Sequence, residues 1–595
     1  APATDLRKHA RAALEELPPE LQPEALKRFA ASPLMNTAER DLLRVLRNVG
    51  LSEKVRVDSF NVGAISVKSI ALKTWFRYLL NVRNCGQLLG GFTTMDRYGQ
   101  VCLKAFWECF RKENPEHAVF ELHHGRLHSV IPYCIHLDEG RGLRKSAVMV
   151  IHAQGIFGAD TAPHFTQNMD FIFDDYLMES ELEDMMIRNQ FHNGRGCTYR
   201  SRFLYTILPK ASYTKNNSRV FTAVLDRLRE ECTSLLEDGF QVHDGSKYFA
   251  ALLAVKGDAP ALAKAGNFTR NFQCLGNPIC WECMAGAPEI PFEDCRRNPI
   301  YEATIHAERP WVVPGPLAEV PGVPGKPELV YQRDPFHVYK QSVGGSFAAS
   351  SIVLVAEMGY WNAENNVFAN VMDRAYKDFG HFVKHEWGGP GVPHIKHFTK
   401  ANLHYPRVNS FPYARPKGSD VMLLTRWLRH LVLHGPLRDG IRTGNMVLNA
   451  SEPWHIPMLE NIAMAASGAL KFFRIMHNNG LWLTRGLAEA LGEACFKFCE
   501  SYSALAQLCH NQNLTRYSLA PSLHYYHHFY MDMKRKLANP NAKYILSPSF
   551  ANCEADEDYI GKISRISRHV HPKVTNARTI DRYLVKLNLV YAGET

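Results

Sequence analysis

Between residues 127 and 264 short apolar runs alternate with turn residues at strand-like lengths. The flanking segments instead repeat apolar positions at helical spacing. Leu127-His-Ser-Val-Ile-Pro-Tyr-Cys-Ile-His-Leu reads as a strand, and Asp138-Glu-Gly-Arg-Gly after it carries turn chemistry, with two glycines for unusual backbone angles. Ala147-Val-Met-Val-Ile-His-Ala reads as the returning strand. An acidic, helix-like insertion near 168–190 precedes a third strand, Arg202-Phe-Leu-Tyr-Thr-Ile-Leu. Residues 218–238 form the clearest amphipathic helix of the chain. Lys247-Tyr-Phe-Ala-Ala-Leu-Leu-Ala-Val is a fourth strand running into Asp258, and Pro260 suits the first turn of a following helix.

The order is strand, acid, strand, strand, helix, strand, acid, helix. It predicts a mixed α/β fold with an RNase H-like core, whose fourth strand pairs beside the first. Asp138 and Asp258 then meet at neighbouring strand ends. Around this core, residues 1–120 read as helical, broken at Pro18, Pro19 and Pro23, with helices at Ala38–Arg47 and Thr74–Leu80. They serve either as a support or dimerisation layer or in DNA binding. The Pro/Gly-rich stretch 309–330 reads as a linker or surface strap. Helical segments follow at 344–384, and Gly388-Gly-Pro-Gly-Val-Pro is a breaker. Lys417-Gly-Ser-Asp420 opens a long amphipathic helix, and 455–538 looks helical and rich in His, Tyr and Phe. The expected organisation is a helical N-terminal region (1–120), the first part of the core with a CxxC element (121–300), a linker and helical insertion (301–415), a final core helix (416–450) and a helical, basic C-terminal region (451–595).

Composition narrows the class. A chain of 595 residues exceeds one core and predicts two to four units. An apolar fraction of 46% with 22% charged residues is that of a globular protein, and no apolar run approaches the roughly 20 residues of a bilayer span. The net charge of +10 fits a nucleic-acid partner or a mildly basic solvated surface. Fourteen dispersed cysteines predict reduced thiols in an intracellular compartment. The chain opens Ala-Pro-Ala without Met, which reads as a trimmed boundary.

The sequence holds no GxxxxGK[ST], GxGxxG after a strand, HExxH or GxSxG, so nucleotide-driven, dinucleotide, zinc-protease and serine-hydrolase chemistries lack support. Carboxylates remain. Two-metal phosphoryl chemistry needs several acids around ions about 3.5–4 Å apart, and Mg²⁺ or Mn²⁺ accepts two or three. Asp138, Asp258 and Asp420 occupy the end of the first strand, the end of the fourth and the start of a late helix. Each also has a structural explanation: Asp138 as a turn closer, Asp258 and Asp420 as helix N-caps. Cys280 and Cys283 look like half of a zinc knuckle, with Cys274, Cys295 and His306 as completing candidates, or else a pair of buried free thiols. Asp334-Pro-Phe-His337 could add a side chain to the metal or DNA site, or cap a helix. His136 shares a strand face with Asp138. The run His524-Tyr-Tyr-His-His-Phe-Tyr is expected to pack a core. Lys562, Arg565, Arg568, Lys573, Arg578 and Arg582 suit phosphate contacts or a solvated surface.

Four segments together resemble a known group: His136-Leu-Asp-Glu-Gly-Arg-Gly, Lys256-Gly-Asp-Ala-Pro-Ala-Leu-Ala-Lys with Cys280-x₂-Cys283, Asp334-Pro-Phe-His337, and Lys417-Gly-Ser-Asp420 with its Trp427-containing helix. They look like the transposase core of CACTA/Plavaka-type eukaryotic DNA transposons, over about residues 125–435. The resemblance implies an RNase H-like domain with a DDE/D triad, an insertion between the second and third acids, and a CxxC element after the second. It also implies double-stranded DNA as partner, a homo-oligomer and a nuclear location. Asp420 stands where the family often has Glu. A catalytically inactive, domesticated DNA-binding protein on the same fold, or a non-transposase nuclease, are the alternatives.

Overall fold

A mixed sheet buried on both faces forms the centre of a computed structural model that describes residues 3–31, 38–82, 88–94, 96–143, 146–169, 178–214, 218–272, 278–389, 393–435 and 452–593. A small hairpin comes first, β1 (Asp58–Val62) and β2 (Ile65–Ser69). The central strands are β3 (Val130–Arg141), β4 (Ala147–Gly155), β5 (Phe203–Pro209), β6 (Phe240–Gln241) and β7 (Lys247–Lys256), and a late pair is β8 (Trp482–Thr484) and β9 (Tyr544–Leu546). The sheet order is β5-β4-β3-β7-β6. β3, β4 and β5 are antiparallel neighbours, and β7 runs parallel to β3. A parallel neighbour needs a crossover, supplied by the helix Ser218–Glu237 through buried Val224, Leu228 and Leu235. β3, β4, β5 and β7 are buried almost end to end, as expected where both faces are covered.

Strand periodicity puts Cys134, His136, Asp138 and Gly140 on one face of β3. The register sets His152 of β4 and Lys256 of β7 on either side of His136. Two residues further along the β3–β7 register, Asp258 follows β7 beside Asp138. Gly257 makes this approach possible, because a Cβ there would lie 2.4 Å from the Leu137 carbonyl oxygen. The helix Glu554–Ser567 covers the same face. It comes so close to β3 that a Cβ on Gly140 would meet Ser564 Oγ at 1.8 Å.

A buried ion network holds that helix down. Asp556 Oδ2 accepts from Lys256 Nζ at 2.8 Å and Oδ1 from Arg202 Nε at 3.0 Å, and all three side chains are fully buried. Burial alone would raise the Asp556 carboxyl, but Lys256 and Arg202 hold it well below the usual carboxylate range.

Several expectations change. β3 continues through Arg141, so Asp138 lies within a strand and does not close the turn. The N-terminal region holds the β1–β2 hairpin as well as helices, turning at Gly63 with φ +59°. The Pro/Gly-rich stretch is partly packed and partly on the surface, with Val312 and Val313 exposed. Trp311 stacks on Phe268, Leu317 and Tyr331 are buried, and Tyr331 bridges to Val255 beside β7. The helix opening near Asp420 is Gly418–Leu433, and residues 436–451 lie outside the described ones. Long helices His455–Asn478, Arg485–Asn511 and Pro521–Leu537 build the C-terminal region. Among the described residues no helix is long and apolar enough to cross a membrane.

Asp556→Ala strands Lys256 and Arg202 as buried charges without a counter-ion. The expected cost is about 3–5 kcal/mol in a urea denaturation curve, well above that of an exposed acid such as Asp373→Ala.

Candidate functional site

The acid that joins Asp138 is Glu557, not Asp420. Glu557 sits in the first turn of the helix Glu554–Ser567, one residue after the buried Asp556 anchor. Carboxylate oxygens of Asp138 and Glu557 and a ring nitrogen of His136 lie within 4.8 Å of one another. His337 Nε2 faces the same pair, 3.7 Å from Asp138 Oδ2 and 3.6 Å from Glu557 Oε1. Asp258 flanks them as the N-cap of the helix Ala259–Gly266, its Oδ1 accepting from Ala261 N–H at 2.7 Å. Its cap role and its place at the site coexist, since one oxygen suffices for the cap.

Asp334 organises this corner. Oδ2 accepts from His337 Nδ1 at 2.6 Å, while Oδ1 accepts from the backbone N–H groups of Phe336 at 2.8 Å and Cys553 at 2.9 Å. Asp334 therefore ties the His337 ring to the segment leading into the Glu557 helix. A cleft of roughly 350 Å³ opens beside Asp258 and His337, with Phe272, Trp281 and Tyr525 on its walls.

The electrostatics are those of a place short of positive charge. Burial first, then the Asp258 charge, pushes the Asp138 carboxyl well above its ordinary value. Burial also raises Asp258 and Glu557. Glu557 Oε1 is buried without a hydrogen-bond partner. Lys256, beside His136 in the sheet, is committed to Asp556, and Lys264, whose charge acts on Asp258, stands 3.6 Å from Glu139. Burial would lower His337, but the Asp334 hydrogen bond and charge, then Asp138 and Glu557, outweigh it and push the imidazole up to about 10. Desolvated, mutually repelling carboxylates with a lone pair left over fit a divalent cation. Asp138, Asp258 and Glu557 are the residues that could hold it.

A second cluster completes the CxxC element. Cys283 Sγ lies 3.3 Å from His524 Nε2 and 3.4 Å from His528 Nε2; Cys280 Sγ lies 3.6 Å from His528 Nε2, and the two Nε2 atoms are 3.1 Å apart. Ligands at Zn–S ~2.3 Å and Zn–N ~2.0–2.1 Å in a tetrahedron stand roughly 3.3–3.8 Å from one another, so the four buried atoms match a Cys₂His₂ zinc site. Burial raises both thiols. Hydrogen bonding with Cys283, then the neighbouring His528 and His524, nevertheless bring Cys280 well below its usual value, while Cys283 stays above it. Glu282 Oε2 stands 3.8 Å from His528 Nδ1, a carboxylate behind a ligand histidine. Arg333, next to Asp334, pairs with Glu282 and with Asp532 of the His524 helix. The cluster thus joins the loop after Asp258, the Asp334 segment and the helix Pro521–Leu537 into one wall of the cleft.

The remaining predicted residues lie elsewhere. Asp420 is buried, and its carboxylate accepts from the backbone N–H groups of His394 and Ile395 at 3.0 Å. It ties down a loop and is not among the carboxylates around Asp138. Cys295 packs against Cys499, His306 Nδ1 faces Glu328 at 3.3 Å, and Cys274 lies outside the described residues. The ligands that join Cys280 and Cys283 are instead two members of the run expected to be core. His524 and His528 are four apart, hence on one helix face, a spacing that the surrounding aromatics obscured. Of the basic residues, Lys562 pairs with Asp558, Arg578 with Asp581 and Arg582 with Glu39, while Arg565, Arg568 and Lys573 are exposed. The signal for Glu557 was the acidic first turn Glu554-Ala-Asp-Glu, hidden in a segment read for its positive charge.

No protein-family model matches the chain, and no curated protein matches it.

Metal analysis of the purified protein is expected to return one zinc equivalent, absent from Cys283→Ser and His528→Ala. Chelation should lower the melting temperature by at least ~5 °C, because structural zinc contributes folding free energy directly. His337 also makes a pH prediction. Its folded value near 10 exceeds the ordinary 6.5, so its stabilisation is complete below pH 6.5 and lost as pH climbs to 10. The raised carboxyls act in the same direction. Urea midpoints of the protein stripped of divalent cations should fall over that interval, and fall less in His337→Gln.

Proposed function

We propose that the chain is a transposase-like phosphoryl transferase that cleaves DNA and joins the freed 3′ end to a second duplex, on an RNase H-like core with Asp138, Asp258 and Glu557 as its acid triad. The observation that carries this reading is the meeting of Asp138 with Glu557, whose buried oxygen lacks a partner, on the covered face of β3 beside Asp258. The sheet order and the parallel β3–β7 pair support the RNase H-like comparison. A glutamate at the third position also fits the resemblance better than Asp420 did.

When bound, Mg²⁺ or Mn²⁺ would activate water or a 3′-hydroxyl and offset charge on the leaving oxygen. The protein's own part is positioning. Asp138 is steadied by the Glu139 N–H at 2.5 Å, and Asp258 by its cap bond to Ala261. Glu557 is carried by a helix that the Asp556 network pins. Cationic His337, oriented by Asp334, faces the place where a scissile phosphate oxygen would lie. The aromatic cleft walls suit an unstacked nucleotide, and exposed Arg565, Arg568 and Lys573 suit phosphates along the duplex. The Cys₂His₂ cluster would hold structural Zn²⁺ outside the chemistry. Recombination at two element ends implies a homo-oligomer working on nuclear DNA.

The test is cleavage and strand transfer on linear duplexes with Mg²⁺ or Mn²⁺. Loss of a metal ligand removes several kcal/mol of charge stabilisation, so Asp258→Asn and Glu557→Gln should each reduce cleavage by about 10²-fold or more. Folded Asp420→Asn should keep it. Cleavage without joining leaves a nuclease. Salt-sensitive duplex binding with no cleavage by the unsubstituted protein replaces the enzyme with a domesticated binding protein.

A further inference from the structure

One side chain at the acid cluster has no partner. His136 is fully buried, and neither of its ring nitrogens makes a hydrogen bond. A buried polar group left unsatisfied costs ~1–3 kcal/mol, so its retention calls for a ligand. A ring nitrogen is within 4.8 Å of oxygens of both Asp138 and Glu557. His152, whose ring nitrogens are likewise without a hydrogen bond, lies with its ring centroid 4.9 Å away, but among the described residues it is His136 that clusters with Asp138 and Glu557; Lys256, beside His136 in the sheet, gives its ammonium to Asp556. Asp556 and the Cys553 thiol also come within 4.8 Å of a ring nitrogen. His337, by contrast, stands 3.7 Å from Asp138 with its other ring nitrogen hydrogen-bonded to Asp334.

We propose that His136 is a nitrogen ligand of the divalent ion held by Asp138 and Glu557, so that this position is a mixed imidazole–carboxylate site that prefers Mn²⁺ to Mg²⁺. Mg²⁺ takes hard oxygen ligands and keeps its waters, whereas imidazole suits first-row transition ions. The proposal rests on the assignment of Asp138 and Glu557 as metal ligands made above.

The experiment uses the full chain with its zinc retained and Mn²⁺ added. Pulsed electron paramagnetic resonance of bound Mn²⁺ reads directly bonded nitrogen, independent of any cleavage. A ¹⁴N coupling is expected, converted to ¹⁵N by histidine labelling of the unsubstituted protein. It should vanish in His136→Gln and persist in His337→Gln. Mn²⁺ affinity should fall ~10–100-fold in His136→Gln, and Mg²⁺ should compete at least ~10-fold less well than Mn²⁺ in the unsubstituted protein. Bound Mn²⁺ without nitrogen coupling, or coupling that disappears only in His337→Gln, overturns the proposal and leaves the acid triad standing. Should His136→Gln fail to fold, the labelled protein combined with His337→Gln decides: coupling kept supports His136, coupling lost refutes it. No Mn²⁺ binding, or binding unchanged by Asp138→Asn and Glu557→Gln together, removes the metal assignment and this proposal with it.

Discussion

A carboxylate sealed between a lysine and an arginine sets the geometry of the acid cluster. Asp556 meets Lys256 from β7 and Arg202 from the start of β5, with no water exposure on any of the three. Such a network is weak evidence for stability, since desolvating three charges offsets most of their attraction. Its effect is on register. Lys256 and Arg202 offer one place where a buried acid is tolerated, so the helix Glu554–Ser567 can settle on the sheet in only one rotation and one axial position. The next residue on that helix is Glu557. Turned about 100° from Asp556, it reaches Asp138 further along the same face of β3. A substantial electrostatic constraint thus places an acid it does not touch.

The cysteine–histidine cluster performs the complementary task on the opposite wall. Asp258 sits at the start of a short helix, Ala259–Gly266, which by itself would be poorly anchored. The chain after it reaches Cys280 and Cys283, and these meet His524 and His528 on a 17-residue helix packed in the C-terminal bundle. Arg333, the residue before Asp334, pairs with Asp532 of the same helix. The two anchors are chemically different for a physical reason. The sheet face is dry and continuous, where a buried ion network can be fully bonded. The loops around the cleft lack regular backbone pairing, and a metal held by these four side chains would supply the cross-link that backbone hydrogen bonds supply elsewhere.

Strands β3, β4, β5 and β7 were legible because period-two and continuous apolar runs report burial directly, and the crossover helix because its apolar stripe has one partner, the sheet; the two-residue β6 was too short to leave such a run. Asp138 and Asp258 followed from that topology alone. The β1–β2 hairpin was missed because its strands are short and half exposed, with no strong burial signal. The third acid was not legible for a different reason. Asp420 and Glu557 both occupy first turns of helices, and local sequence ranks the better capping context above the other. Only the fold decides which helix lies on the sheet. Asp420 satisfies the backbone of residues 394 and 395, a purely local demand. The histidines were hidden because a helix buried all round carries aromatic and ligand residues alike, so neither burial nor composition separates them.

The acid cluster is costly in the fold as it stands. Three carboxyls are raised by burial, a glutamate oxygen and both nitrogens of His136 go unbonded, and a cationic His337 is held against the acids by Asp334. A sequence under selection for stability alone would relieve this corner with a lysine or an amide. Elsewhere on the same sheet face the chain does so, neutralising Asp556 completely. Satisfied and unsatisfied acids are thus adjacent in sequence, one fully buried and one partly exposed beside Asp138 and His337. The unrelieved charge lies where solvent can deliver an ion, and the relieved charge where it cannot. That division separates a binding site from a structural ion pair, and it is why the reading of this corner follows Glu557 and not its better-bonded neighbour.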